Sequence, residues 1–328
     1  MDLKSVIELL GKDHGPADEM TGAFLEDAIA TFTTNPAGAT NAIRQLQAGD
    51  PAGFALSAVR LLATRTDKSP GVQYIAGLLF AGNLLIDPLL DEEALPMDAA
   101  IALARNLSTA EPLLDARLLR KMMANAGGEI RGIKASTALR VLRIAEAISD
   151  CSRLSSYLIQ LMRHPSAEVR SKVALLLGRA NLNLNRVKSF LSSDDPRLRA
   201  NAVESLWEHR APEVQQVLRE ASKDASGRAA VNALLGLCRR GETEAFERLR
   251  RLATSSDPVL RSGAAWAMGE THDPQFAPDL EALASDPDSK VRAMVERSRS
   301  KLPRPDAPDS SSEPQQPQPA ATDSSTHE

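Results

Sequence analysis

Cysteine is almost missing from this chain of 328 residues: only Cys151 and Cys238 occur. Two isolated thiols exclude a disulfide framework, lack the paired spacing of a zinc or redox motif, and fit a reducing compartment. Aromatic residues make up only 3%, so a core has to be assembled from Leu, Ala, Val and Ile. Stretches rich in strand-forming residues are nearly absent. Long apolar runs are absent too; Ile75 to Leu79 is typical, and far too short to span a bilayer. The start, Met1-Asp2-Leu3-Lys4-Ser5, has no basic region leading into an apolar one. A soluble, cytoplasmic protein is expected.

A large charge imbalance is also missing. The net charge is -4, and the segment after Leu302 accounts for it, with Arg304 against Asp306, Asp309, Glu313, Asp323 and Glu328. Residues 1–302 hold 38 basic and 38 acidic side chains. Within that neutral body, residues 1–100 hold 6 basic against 14 acidic and 101–302 hold 32 against 24. A domain devoted to nucleic acid carries a stronger basic excess. The mild asymmetry leaves room for an acidic partner of the later part.

What the chain does have is a recurring phrase between His164 and Leu302. A polar residue, often Asp-Pro, is followed by Arg and then by a small-residue helix closing on Gly. The phrase reads His164-Pro165 with Arg170 and Gly178, then Asp195-Pro196 with Arg199 and Trp207. Asp224 with Arg228 and Gly236 follows, then Asp257-Pro258 with Arg261 and Gly269, and last Asp286-Pro287 with Arg292. The arginines recur with a period of roughly 30 residues, and a period of that size is the signature of stacked helical pairs.

The positions around each arginine have physical reasons. Asp195, Asp257 and Asp286 are placed to cap a helix whose first turn tolerates the following Pro. Val173, Ala202, Val231, Ala264 and Val295, three positions after each arginine, share one face with Leu177, Leu206, Leu235 and Met268 and are expected to be buried. Gly178, Gly236 and Gly269 are expected to end their helices at positive φ. Second helices carry Val187 and Phe190, Val214 and Val217, Phe246 and Leu249, Phe276 and Leu280. In the last unit Glu296 and Arg299 replace small or apolar residues, as a terminal cap requires.

This Asp-Pro, Arg, small-residue, Leu-Gly phrase resembles the HEAT repeat, especially the short bacterial type seen in phycobilisome lyases. The resemblance covers about residues 133–302 well and 35–130 loosely. It implies an all-α fold, a right-handed α-solenoid of antiparallel helical pairs whose second helices line a concave face. It also implies that Arg170, Asp195, Arg199, Asp224, Arg228, Asp257, Arg261, Asp286 and Arg292 form hydrogen bonds between repeats rather than an active site.

The expected organisation has three parts: irregular helical repeats over 1–130, regular repeats with a polar cap over 131–302, and a disordered acidic tail over 303–328. The tail contains six prolines with Ser, Gln and Ala and no large apolar side chain, so it cannot offset its ordering entropy. Upstream, helices are expected over about Leu3–Leu10, Glu19–Thr31, Pro96–Leu107 and Glu111–Ala124. Asn35-Pro36, Asp50-Pro51 and Ser69-Pro70 open others, and Gly127-Gly128 is a stop.

No catalytic set emerges. His209 follows Glu208 and His327 precedes Glu328, but the repeated His-Glu pairs of iron-holding HEAT proteins are missing, so neither metal nor cofactor is expected. No serine sits in a nucleophile elbow, and no glycine run has phosphate-loop spacing. The expected function is a monomeric, non-catalytic scaffold binding a protein or peptide on its concave face. The basic run Arg248, Arg250, Arg251, with Arg239-Arg240 upstream, and the rare aromatic Trp266 are the candidate contacts. The rival readings are nucleic-acid binding of the HEAT-like DNA glycosylase type and a phycobilin-lyase-like chaperone. The neutral body and scarce aromatics argue against nucleic acid.

Overall fold

The structure, a computed structural model, describes residues 16–65, 67–81, 86–93, 95–180 and 183–303. The expected helix over Leu3–Leu10 and the tail from 304 onward lie outside the described residues. Helices account for nearly all regular structure, and no strand occurs among the described residues. By chain contacts the protein forms two compact units, divided between Phe246 and Glu247.

The first unit begins with α1 (Pro16–Thr31), α2 (Pro36–Gly49), α3 (Pro51–Thr64) and α4 (Pro70–Ala81), followed by α5 (Ile86–Leu90), α6 (Met97–Ala110) and α7 (Leu114–Asn125). Pro at the first position opens α2 and α3. The Asn35 and Asp50 side chains ahead of them accept the amides of Gly38 and Gly53 at 3.0 and 2.9 Å. These caps satisfy orphan donors where proline's missing N–H costs nothing. The helix α7 stops at Gly127 and Gly128, both at positive φ, and the Gly128 amide donates back to the Met123 carbonyl. One apolar cluster of the first unit runs from Leu25 to Leu177.

The regular part continues with α8 (Ala135–Ile148), α9 (Ser155–Leu161), α10 (Ala167–Ala180), α11 (Leu184–Leu191), α12 (Pro196–Glu204), α13 (Pro212–Ala221) and α14 (Gly227–Cys238). The helix α15 (Thr243–Ala253) holds the dividing point. The second unit contains α16 (Pro258–Thr271), α17 (Ala277–Leu283) and α18 (Ser289–Arg299). Even-numbered first helices pack side by side, α8 on α10, α10 on α12, α12 on α14, and α16 on α18. Second helices pack on the first helix that follows them, α9 on α10, α11 on α12, α13 on α14 and α17 on α18. Sequence explains the division of labour. The first helix α14 buries Ala229, Val231 and the run from Asn232 to Cys238, nearly its whole length, whereas α13 buries only Val214, Val217 and Leu218. A helix apolar all round sits between neighbours; one with a single stripe keeps a face to solvent.

A recurring clamp joins the repeats. Arg170, Arg199, Arg261 and Arg292 each stand at the fourth position of their first helix. From there Nη1 donates to two backbone carbonyls of the preceding turn: His164 and Pro165, Ser193 and Asp194, Ser255 and Ser256, Asp286 and Pro287, at 2.7–3.2 Å. Arg199 and Arg261 also grip a carboxylate of the next repeat with Nε and Nη2, Asp224 at 2.8 and 3.0 Å and Asp286 at 2.7 and 2.9 Å. One planar guanidinium thus fastens a turn and the next repeat at once.

Three expectations need correction. Arg228 is not a clamp residue: α14 starts at Gly227, so Arg228 is its second residue and Ala230 occupies the clamp position. With Ala230 in that row, the steps from Arg199 through Ala230 and Arg261 to Arg292 become equal. Asp286 is not a helix cap either. Asp288 caps α18, accepting the Lys290 and Val291 amides, while Asp286 accepts the Asp288 amide and the Arg261 fork. Asp224 has the same place before α14, accepting the Ser226 amide at 2.7 Å. Asp195 and Asp257 do cap, accepting the Arg197 and Val259 amides at 2.9 and 2.8 Å.

The third correction concerns glycine. Gly178, Gly236 and Gly269 lie inside their helices and are not among the residues at positive φ. They are small because the neighbouring repeat is too near. A Cβ at Gly178 would lie 2.0 Å from Ser205 Oγ and 2.5 Å from Ser205 Cβ; at Gly269 it would lie 2.7 Å from the Ser298 backbone. At Gly236 it would lie 2.9 Å from the Trp207 ring. Trp207, in the turn that follows α12, holds the position of Gly178 and Gly269 in its own repeat, and its ring takes the space left beside Gly236.

Candidate functional site

The residues singled out as partner contacts do not form one free basic patch. Arg248, Arg250 and Arg251 all lie on α15, but Arg250 is committed within the second unit. It donates to Glu247 at 2.7 Å and Asp279 at 3.2 Å, and stacks 5.5 Å from the Phe276 ring centre. Those contacts raise its pKa further, the Asp279 hydrogen bond most. Arg251 is exposed, whereas Arg248 is half-buried. Trp266 is also half-buried, on α16. Upstream, Arg240 donates to the carbonyls of Leu206 at 3.0 Å, His209 at 2.5 Å and Gly236 at 2.6 Å, and burial pulls its pKa down. Arg239 lies 4.7 Å over the Trp207 ring, whose Nε1 donates to the Asn232 carbonyl at 2.9 Å.

A different cleft, of about 450 Å³, opens in the first unit across the first helices. Leu139 and Arg143 come from α8, Glu168, Ser171 and Lys172 from α10, Arg197 and Asn201 from α12, and Arg228 from α14. Leu139 and Arg143, Glu168 and Lys172, and Arg197 and Asn201 are each four positions apart, the spacing that places two side chains one above the other on a helix. Arg197 and Arg228 both occupy the second position of their helices. The cleft is thus a product of repeat register: equivalent positions on consecutive first helices face one opening.

Its charge is unbalanced. Four cations meet one acid, Glu168. Lys172 is paired with Glu146, which also receives Arg179 at 2.8 Å, and Arg179 reaches on to Glu204 at 2.8 Å. Glu204 is mostly buried, and burial pushes its carboxyl pKa up against the pull of Arg179, Lys172 and Arg228. Arg143, Arg197 and Arg228 are exposed and have no side-chain hydrogen-bond or ion-pair partner among the described residues. Three guanidinium groups, each with five donors and no acceptor, therefore keep unused capacity around one cleft.

Sequence reasoning missed Arg143, Lys172, Arg197 and Asn201. The available signal was register: once Ala230 takes the clamp position, Arg197 and Arg228 fall on one row two positions before it. A second cleft, of about 680 Å³, is bordered by Asp91, Glu92, Glu93, Met122, Ile133 and Lys134. Among the described residues no group of three or more His, Cys, Asp or Glu is placed to hold a metal ion. Cys151 is buried and burial raises its thiol pKa, the opposite of what a nucleophile needs.

Stacked helical pairs, fastened by repeated arginine clamps and with no strand among the described residues, define a helical-repeat protein. Residues 155–234 and 220–298 each match the family model for HEAT repeats, so this stretch is a HEAT-repeat array and the fold an all-α solenoid. A comparison with curated proteins finds no match. Among solved structures, the crystal structure of an engineered protein from the Northeast Structural Genomics Consortium aligns with 92% of this chain and 99% of its own. The identity is 16% and the TM-score 0.24, too low a superposition to bear on fold or function. No helix among the described residues is long and apolar enough to cross a membrane.

Proposed function

We propose that this protein is a non-catalytic interaction scaffold that binds an acidic segment of a partner protein in the cleft between α8 and α14. HEAT repeats supply the coarse part of this reading, a helical scaffold for protein interaction. The observation that carries the finer part is the set of three exposed, unpartnered guanidinium groups, Arg143, Arg197 and Arg228, around one opening. A rigid stack presents such groups with little ordering cost on binding. This surface takes precedence over the α15 run because Arg250 already commits its donors to Glu247 and Asp279.

The test is fluorescence anisotropy of the full chain with a labelled oligoglutamate peptide. Reversal of the cleft, Arg143→Glu with Arg197→Glu and Arg228→Glu, should weaken binding by roughly tenfold or more, and added salt should weaken it as screening predicts. Reversal of Arg248 and Arg251, which do not line the cleft, should leave it within about twofold. If the α15 reversal abolishes binding and the cleft reversal does not, the assignment is wrong.

A further inference from the structure

Building on that reading, we infer that the cleft is a phosphate-recognition site, and that its natural occupant is a phosphorylated side chain on the partner segment. The first reason is the kind of cation. The three groups left free, Arg143, Arg197 and Arg228, are all arginines, while the one lysine of the cleft, Lys172, is neutralised by Glu146. Guanidinium is a planar fork that matches two oxygens of an anion, whereas ammonium is a strongly hydrated point charge.

The second reason is number. A carboxylate offers two oxygens and one charge, which one fork saturates. A phosphoryl group offers three oxygens and nearly two charges near neutral pH, enough to engage more than one of these forks. The remaining lining agrees, because Ser171 and Asn201 add donors and only Glu168 is a dedicated acceptor.

The third reason is placement. Arg197 and Arg228 lie in the first turns of α12 and α14, where aligned peptide dipoles add positive potential. The amino end of α12 is capped by Asp195, but the Ser226 side chain makes no capping bond to α14. The lining also separates a phosphorylated peptide from nucleic acid. It contains no aromatic side chain and one apolar residue, Leu139, so nothing offers a base a stacking surface.

The experiment measures the full chain against labelled peptide pools with randomised flanks around a fixed phosphoserine, glutamate or serine. The phosphoserine pool should bind roughly tenfold more tightly than the glutamate pool, and the serine pool more weakly than either. Arg143→Lys, Arg197→Lys and Arg228→Lys keep the charge but remove the fork. They should erase most of the phosphoserine advantage over the glutamate pool, and an unchanged ratio between the two pools overturns the role of the forks. Affinity for the phosphoserine pool should rise between about pH 5 and 7, as the second phosphate proton leaves near pH 6, while the glutamate pool stays flat.

Equal affinity for the phosphoserine and glutamate pools overturns the phosphate assignment and leaves the acidic-segment reading intact. Failure of both pools to bind sinks both. A short DNA duplex that displaces the phosphoserine pool and binds more tightly, with its affinity lost in the Arg197 and Arg228 variants, makes the cleft a nucleic-acid site and overturns both as well.

Discussion

Arg199 and Asp224 face each other in a two-pronged ion pair, Nε to Oδ2 at 2.8 Å and Nη2 to Oδ1 at 3.0 Å, across the step from one repeat to the next. The two side chains are only 16% and 14% exposed, so water competes weakly. The same guanidinium closes its own turn through Ser193 and Asp194, and Asp224 holds the Ser226 amide. Removing either partner strands the other's remaining bonds.

Arg199→Ala and Asp224→Ala should each destabilise the fold by about 1–3 kcal/mol, and the double variant should cost less than their sum. Arg199→Lys should recover little, since an ammonium cannot make both parallel bonds. Urea denaturation of these variants beside the parent measures this; strict additivity would show that the two residues act independently.

Acid should expose the same clamps. The Arg199 guanidinium, with the Ser226 amide, holds the Asp224 carboxyl below the usual carboxylate range, and Arg261 does the same for Asp286. In the window from about pH 5 downward the unfolded chain binds these protons first, near pH 4, so the clamp's contribution is complete above that value and lost as pH falls through the native pKa. Asp224→Asn with Asp286→Asn should flatten the acid limb of a stability–pH curve. Glu204 works with the opposite sign: its raised pKa costs stability at neutral pH, and protonation relieves that cost. An unchanged acid limb in the double variant would remove the clamps from the cause.

Gly178→Ala should destabilise by about 1–3 kcal/mol through overpacking, because the new methyl meets Ser205 Cβ rather than a flexible chain end. Gly269→Ala should cost at least as much, since backbone atoms of Ser298 stand in the way. Adding Ser205→Gly to Gly178→Ala should give less than the sum of the two single effects, read by thermal or urea unfolding. A neutral Gly178→Ala would show that α10 and α12 can move apart freely.

Asp115 is fully buried on α7, and Arg153 reaches it at 2.9 Å from across the turn before α9. Arg153→Ala leaves that carboxylate inside without its cation, a loss of roughly 1–3 kcal/mol given how exposed the arginine is. Asp115→Asn in the same background should restore part of it, and calorimetry decides.

The helical architecture was legible because it repeats. Every expected apolar position from Val173 to Val295 is buried, and Arg199 and Arg261 were found by period alone. Arg228 was misplaced because Asp224 stands four positions before it, as Asp195 stands before Arg199, and linear spacing cannot show that the helix between them starts two positions later. The glycines were located correctly but for the wrong reason. What a glycine makes room for belongs to the neighbouring repeat, and no local pattern records it. The cleft was invisible for the same cause: Arg143, Arg197 and Arg228 form no run in the chain and meet only after stacking.

That two-position difference has a wider consequence. Arg228 stands as far beyond Arg199 as Arg199 does beyond Arg170; in a repeat as short as that earlier one it would sit in the clamp. The longer repeat that leads to α14 hands that position to Ala230 and frees the arginine for the outer surface. A repeat of this kind can trade a fastening residue for a gripping one by changing its length alone. Insertions and deletions, rather than exchanges of side chains, are then a direct route by which such arrays acquire new ligands.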